Sequence, residues 1–210
     1  MHIQESPELV SKSSERAAEI VENILSFIRK SDTHLSSRDL GKLLDHTVDL
    51  AASDYDLKRN YDFRHIELIR ECDPDLPHIP CEGTKIQQVI FNLLKNGAQA
   101  MAEQENPTET PRFVLRTLRD GDMARIELED NGPGMSEETR QRAFEPFFTT
   151  KETNVGAGLG LSVSYFIITE NHAGTMTVES SPGRGAKFIV RIPLRRVADA
   201  VATHSLAGRG

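Results

Sequence analysis

The chain has 210 residues and a net charge of -7, with hydrophobic residues at 38% and charged residues at 27%. That length suits one full domain with an appendage, and the composition supports a packed core. The acidic balance argues against nucleic acid as a partner, because nucleic-acid-binding proteins ordinarily show a basic face. No apolar run approaches the roughly 20 residues needed to span a bilayer, and the N-terminus lacks a charged-then-apolar leader pattern. No membrane contact is expected of these residues, and the chain reads as cytoplasmic. Cys72 and Cys81 lack CxxC spacing and read as free thiols of a reducing compartment.

Between residues 8 and 31, Ala17, Ile20, Ile24 and Phe27 recur at helical spacing, flanked by Val21, Leu25 and Ile28. This apolar stripe predicts a long helix that must bury itself on its own domain or in a bundle. Residues 31–37 read as a connector and 39–58 as a second helix. Residues 63–72 suit a strand, and the Pro-rich stretch 73–80 suits a loop. The clearest helix runs from Gly83 to about Gln104, with Ile86, Val89, Ile90, Leu93, Gly97, Ala100 and Met101 on its apolar face. Two strands flank the turn Asp120-Gly121-Asp122 as a hairpin. A short helix at Glu137–Arg142 follows, then a helix over 158–171. The last two strands, 175–181 and 186–194, are joined by Pro182-Gly183-Arg184-Gly185. The remainder is a flexible tail. The order predicts an α+β fold, with helices layered on a mixed, mostly antiparallel sheet.

Four constellations carry chemistry. On the helix from Gly83, Gln88, Asn92, Asn96, Gln99 and Glu103 follow a spacing of three or four and share one face. Solvated faces are normally rich in Lys and Glu, whereas this one has two Asn a turn apart, and Asn is a poor helix former. An Asn carbonyl is a neutral oxygen ligand suited to Mg²⁺, with phosphates supplying the negative charge. The second constellation, Asp130-Asn131-Gly132-Pro133-Gly134, puts a carboxylate at a strand end. It can accept a hydrogen bond from a base amine, and it is also good turn chemistry. The third, Phe144 to Lys151, holds three phenylalanines in five residues and a lysine able to reach phosphate oxygens. The fourth, Gly156-Ala157-Gly158-Leu159-Gly160-Leu161, leads into a helix whose N-terminus favours phosphate. No GK[ST] follows, so it is not a P-loop.

In order and spacing this set resembles the N, G1, F and G2 boxes of sensor histidine kinase catalytic domains, part of the GHKL group that includes gyrase, the mismatch-repair ATPases and a heat-shock chaperone. The matched stretch runs from about Ile66 to Leu194. FEPFFTTK and GAGLGLSVSYFI are close to the form of nitrogen-regulation-type sensor kinases. The resemblance implies a Bergerat-type two-layer α/β sandwich that binds ATP and Mg²⁺. It implies Asn96 as the Mg²⁺ ligand, with Asn92 beside the phosphates and both catalytic. Gln99 and Ala100 would line the nucleotide site. Asp130 would bind the adenine amine, with Gly132, Gly134 and Met135 near the ring. Thr150 and Lys151 would lie in a lid. The backbone of Gly156, Ala157, Gly158, Leu159, Gly160 and Leu161 would wrap the phosphates. Two departures stand out. Ala186 replaces a threonine that supports the aspartate, and Gly97 replaces an alanine, which should weaken that helix by roughly 1 kcal/mol.

In the hydrolase branches a glutamate stands where Asn92 stands here, and an amide cannot be a general base. Phosphoryl transfer to a histidine therefore fits better than hydrolysis. None of His2, His34, His46, His65, His78, His172 or His204 has the acceptor pattern, and His172 reads as structural. The expected organisation is residues 1–34 as the second helix of a dimerisation hairpin, 35–194 as the catalytic domain and 195–210 as tail. The acceptor-bearing helix would precede residue 1. Expected partners are that acceptor helix, a response regulator receiver domain and a second copy through the N-terminal helix. The whole would be the cytoplasmic part of a sensor, membrane-bound or not. The alternatives are a pseudokinase-like regulatory module and, more remotely, a sigma-factor-inhibiting serine kinase.

Overall fold

The computed structural model describes residues 35–54, 57, 61, 63–104, 109–150 and 158–195. The predicted N-terminal helix, Lys58, Lys151, Gly156, Ala157 and the tail from 196 onward lie outside the described residues. In chain order the elements are β1 (Ser36–Arg38), α1 (Leu40–Ser53), a 3-10 turn (Phe63–His65), β2 (Glu67–Cys72), β3 (Ile79–Cys81) and α2 (Gly83–Ala102). β4 (Arg112–Asp120), β5 (Met123–Asp130), α3 (Glu137–Arg142), α4 (Gly160–Phe166), a π-helical segment (Ile167–Asn171), β6 (Thr175–Ser180) and β7 (Ala186–Pro193) complete them.

A five-stranded sheet has the order β2-β4-β5-β7-β6. β2 runs parallel to β4 and the other pairs are antiparallel, so the α+β expectation holds. Alternation gives the sheet two unlike faces. Phe113, Leu115, Ala124, Ile126, Leu128, Phe188, Val190 and Ile192 are buried on the face that meets the helices. The opposite face carries paired charges: Arg116 bonds Glu71 and Glu129, Arg125 pairs with Glu127, and Lys187 with Glu179. One largely apolar and one largely charged face make a two-layer sandwich whose main core lies on the helix side, with Val114 and Ile189 buried on the other face.

Local chemistry sets the helix boundaries. Asp39 caps α1 by accepting from the Lys42 N–H at 3.1 Å. Ser136 caps α3 in the same way, with Glu137 and Glu138 in its first turn and Arg140 and Arg142 in its last. Leu40, Leu44, Val48 and Ala51 of α1, and Ile86, Val89, Ile90, Leu93 and Leu94 of α2, are buried in the shared core. Among the described residues no helix is long and apolar enough to cross a membrane.

Five expectations need correction. The helix predicted over 39–58 ends at Ser53, where Asp54 turns extended with φ of -62° and ψ of 135°. The strand predicted over 63–72 begins at Glu67, because Phe63–His65 is a 3-10 turn that buries Phe63 against Phe113, ring centroids 6.2 Å apart. The loop predicted over 73–80 ends in β3, which pairs with β1 as Ser36↔Cys81, Ser37↔Pro80 and Arg38↔Ile79; strands this short carry no readable period. The helix predicted over 158–171 is α-helical only from Gly160 to Phe166 and then widens into the π segment. Gly97 is no defect of α2, because the ring of Phe113 occupies the space an alanine methyl would need.

Candidate nucleotide site

α2 is the spine of the site. Gln88, Asn92 and Asn96 are half-buried and Gln99 is buried, so this polar stripe is not a solvated face. The Asn92 amide donates from Nδ2 to the carbonyl of Gly160 at 3.3 Å and to Oγ of Ser164 at 3.2 Å. Those bonds fasten α2 to the first turn of α4. A Cβ on Gly160 would stand 3.9 Å from Cγ of Asn92 and 4.0 Å from Nδ2 of Asn96. The start of the glycine-led helix therefore lies beside both asparagines. Gln99 donates to Glu103 at 2.8 Å, and Ala100 is half-buried on the same helix.

Asp130 closes β5 on the core face and is 7% exposed. Its Oδ1 accepts from the N–H of Gly132 at 2.9 Å and from the N–H of Ala186 at 3.2 Å. Burial raises its pKa above the ordinary carboxylate value, partly opposed by those two backbone donors. Oδ2 lies toward Gly97 of α2. The Ala186 N–H bond comes from the main chain and does not depend on the side chain at that position, whose methyl offers Asp130 no hydrogen bond. Asn131 anchors the following turn by accepting from Arg112 N and donating to the Thr110 carbonyl. Gly134 packs on Ser181. Met135 donates its N–H to Oγ of Ser180, which itself donates to the Gly185 carbonyl.

The third and fourth boxes meet. Phe147 donates its N–H to the carbonyl of Gly158 at 3.0 Å. Gly158 has φ of 67° and lies so close to the Phe147–Phe148 backbone that any side chain would collide. Phe147 also has positive φ, at 65°, and is 64% exposed. Such a conformation is strained for a bulky residue and must be held by its surroundings. Phe144 packs on Tyr165 of α4, and the Arg142 guanidinium lies 4.2 Å from the Phe148 ring centre. Thr150 is exposed, Leu159 buried and Leu161 half-buried.

The described histidines fall outside this group. His46, His65 and His78 are exposed, and Nε2 of His78 lies 3.9 Å from Asp39, a proximity not anticipated from sequence. His172 is buried; its Nδ1 donates to the Ile167 carbonyl at 2.8 Å and its Nε2 accepts from Glu82 N at 3.1 Å. The widened π turn brings that carbonyl within reach, and the ring joins α4 to the start of α2 as a structural clasp. Both described cysteines are free, and burial pushes the Cys81 thiol up to about 11. Sequence reading missed Ser164 and the Ser180–Gly185 support. A buried serine one turn after Gly160, inside an apolar helix, was the available signal for the first.

The chain matches the family described as histidine kinase-, DNA gyrase B- and HSP90-like ATPase over residues 81–196, more than half its length, and belongs to that family. It is 32% identical over 191 residues to sporulation kinase E of Bacillus subtilis (strain 168), covering 91% of this chain and 24% of that protein. It is 31% identical over 192 residues to sensor protein TdiS of Thauera aromatica, covering 91% of this chain and 33% of that protein. The chain therefore spans about a quarter to a third of the length of these curated relatives. The nucleotide-free catalytic domain of histidine kinase ThkA is 26% identical with a TM-score of 0.62, covering 76% of this chain and 95% of that one. A structure of ThkA with the response regulator protein TrrA shares the fold, with a TM-score of 0.69 at 23% identity over 93% of this chain and 53% of that one. Fold, site and relatives agree on an ATP-binding domain of the histidine kinase type.

Proposed function

We propose that this chain is the catalytic portion of a two-component sensor kinase and transfers the γ-phosphoryl group of ATP to a histidine presented by another helix. The observation that carries the reading is the placement of Asn96 and Gly97. These consecutive residues of α2 face the two halves of the site, Asn96 beside Gly160 and Gly97 beside Asp130. A nucleotide lying along α2 would meet a buried carboxylate at one end and a glycine-led helix start at the other.

In this reading Asp130 accepts from the adenine amino group, and Gly132, Gly134 and Met135 border the ring. Gln99 and Ala100 line the α2 side. The backbone N–H groups from Gly156 to Leu161 hold the phosphates with help from the positive end of α4. Thr150 and Lys151 belong to a lid above them. Asn96 would hold Mg²⁺ through its amide oxygen. Among the described residues no group of three or more His, Cys, Asp or Glu could hold a metal, so the donor set fits an ion that arrives with phosphates. When bound, Mg²⁺ supplies neutralisation of charge on the phosphate oxygens. Asn92, an amide, can position but cannot take a proton from water, which favours a nitrogen nucleophile over hydrolysis.

The same reading makes residues 1–34 part of a dimerisation hairpin with an acceptor helix upstream, 35–194 the catalytic domain and 195–210 a tail. It adds a receiver domain of a response regulator and a second copy of this chain as partners. It places the protein in the cytoplasm, and the forms of FEPFFTTK and GAGLGLSVSYFI support a nitrogen-regulation type. Calorimetry of ATP binding with and without Mg²⁺ tests the site. Mg²⁺-dependent binding that weakens at least about tenfold, or 1.4 kcal/mol, in Asp130→Ala and Asn96→Ala is expected. A folded wild-type chain that binds no ATP sinks the reading. Supplying a chain with the acceptor helix tests transfer, and absence of phosphohistidine under all conditions counts against the kinase activity.

A further inference from the structure

We infer that Ser164 is a positioning residue for Asn92, selecting the orientation in which the amide turns its carbonyl oxygen toward the nucleotide; the inference rests on the nucleotide reading above. Ser164 is fully buried between α2 and α4. Its hydroxyl donates to the Gly160 carbonyl at 2.8 Å, a one-turn back-bond that satisfies a helical serine by itself. The same oxygen also accepts from Nδ2 of Asn92 at 3.2 Å, while the Gly160 carbonyl accepts from Nδ2 at 3.3 Å.

The two ends of an amide are nearly the same shape and opposite in hydrogen-bonding character. Packing alone leaves the choice of orientation open. Here α4 offers two acceptors at one end of the side chain, the Ser164 oxygen and the Gly160 carbonyl. A flipped amide would set its own oxygen against the Gly160 carbonyl, and the Ser164 hydroxyl could meet that oxygen only by giving up its bond to the same carbonyl. Nδ2 therefore turns to α4, and Oδ1 is the atom left for a ligand. That is the end able to meet a metal ion, or a water held by one. Without the hydroxyl, only the 3.3 Å contact to Gly160 remains, and the preference weakens. An alanine at 164 fills the same buried space but does not select an orientation.

The test uses the full chain with ATP and Mg²⁺, comparing Ser164→Ala, Ser164→Cys and Ser164→Thr. Ser164→Ala and Ser164→Cys are expected to weaken Mg²⁺-ATP binding about tenfold while Mg²⁺-free ATP changes less than about twofold, and Ser164→Thr, which keeps the hydroxyl, restores most of the loss. In an Asn92→Ala background Ser164→Ala should cost nothing further. Side-chain amide resonances, assigned by Asn92→Ala, report orientation without nucleotide. They should show one ordered Asn92 amide in the wild type and an averaged one in Ser164→Ala. An equal loss of affinity with and without Mg²⁺, or an Asn92 amide unchanged in Ser164→Ala, overturns the role. A wild-type chain with an ordered Asn92 amide but no ATP binding overturns the nucleotide reading, and this role with it.

Discussion

Gly97 and Phe113 are built to fit each other. A Cβ on Gly97 would stand 2.5 Å from Cε1 and 2.8 Å from Cζ of the Phe113 ring, with Oδ2 of Asp130 only 3.3 Å away. Phe113 is 1% exposed and sits in the buried core. Helix propensity says alanine should improve α2 by roughly 1 kcal/mol, but overpacking a core costs about 1–3 kcal/mol. The second effect wins here. Gly97→Ala is expected to lower stability in urea unfolding and to weaken nucleotide binding through the displaced Asp130. Phe113→Leu in the same chain should recover part of the loss, and a more stable Gly97→Ala protein would refute the packing argument.

Asp130 trades stability for a charged acceptor. Its folded pKa is raised by burial, so the native state holds its proton more tightly than the unfolded chain does. The stabilising contribution is present at acid pH and is lost as pH rises through the folded value. At neutral pH the ionised carboxylate is a net cost. Asp130→Asn keeps an oxygen for Gly132 and Ala186 but removes the buried charge. It should melt about 2–4 °C higher at pH 7, with the gap closing toward pH 4, while ATP affinity falls at least about tenfold. Equal melting points across that range would contradict the sign.

His172 gives the opposite pH signature. Burial holds its pKa below the ordinary 6.5, against the Ile167 hydrogen bond and the nearby Glu82. The native state therefore binds fewer protons than the unfolded chain below that value. Stability is complete above pH 6.5 and declines as pH falls toward the lower folded value. Protonation would turn Nε2 into a donor facing the Glu82 N–H, breaking the clasp. Urea midpoints at pH 7.5 and 5.5 should differ in the wild type by more than in His172→Gln.

Thr117 carries a hydroxyl that does nothing for the fold. It is 1% exposed on the helix-facing side of β4, and its Oγ1 has no hydrogen-bond partner among the described residues. An unsatisfied buried hydroxyl costs about 1–3 kcal/mol. Thr117→Val replaces it with a near-isosteric apolar group that suits a strand. The variant should unfold at higher urea concentration by about 1 kcal/mol with nucleotide affinity unchanged; loss of stability would show that a hidden partner exists.

Much of the fold was legible because it rests on local periods. The 3.6-residue stripe of α2 and the Asp120–Asp122 turn between alternating strands each announced an element that the structure contains. β1 and β3 were illegible: three residues hold no period, and their pairing joins Ser36 to Cys81 across 45 positions of chain. The π segment was invisible for a related reason, since its hydrogen bonds answer to His172 and the packing of α4 on α2.

Residue types of the site were visible along the chain: two amides a turn apart, a carboxylate closing a strand and glycines ahead of a helix. Their order along the chain was enough to point to a nucleotide. How they work together follows from packing between distant elements. It made Gly97 a necessity by lodging Phe113 against it, fixed Asp130 with the Ala186 backbone N–H of a neighbouring strand, and aimed Asn92 with Ser164 from another helix. These outcomes depend on contacts between residues 16 to 72 positions apart, and no local pattern encodes which distant side chain will fill a given space.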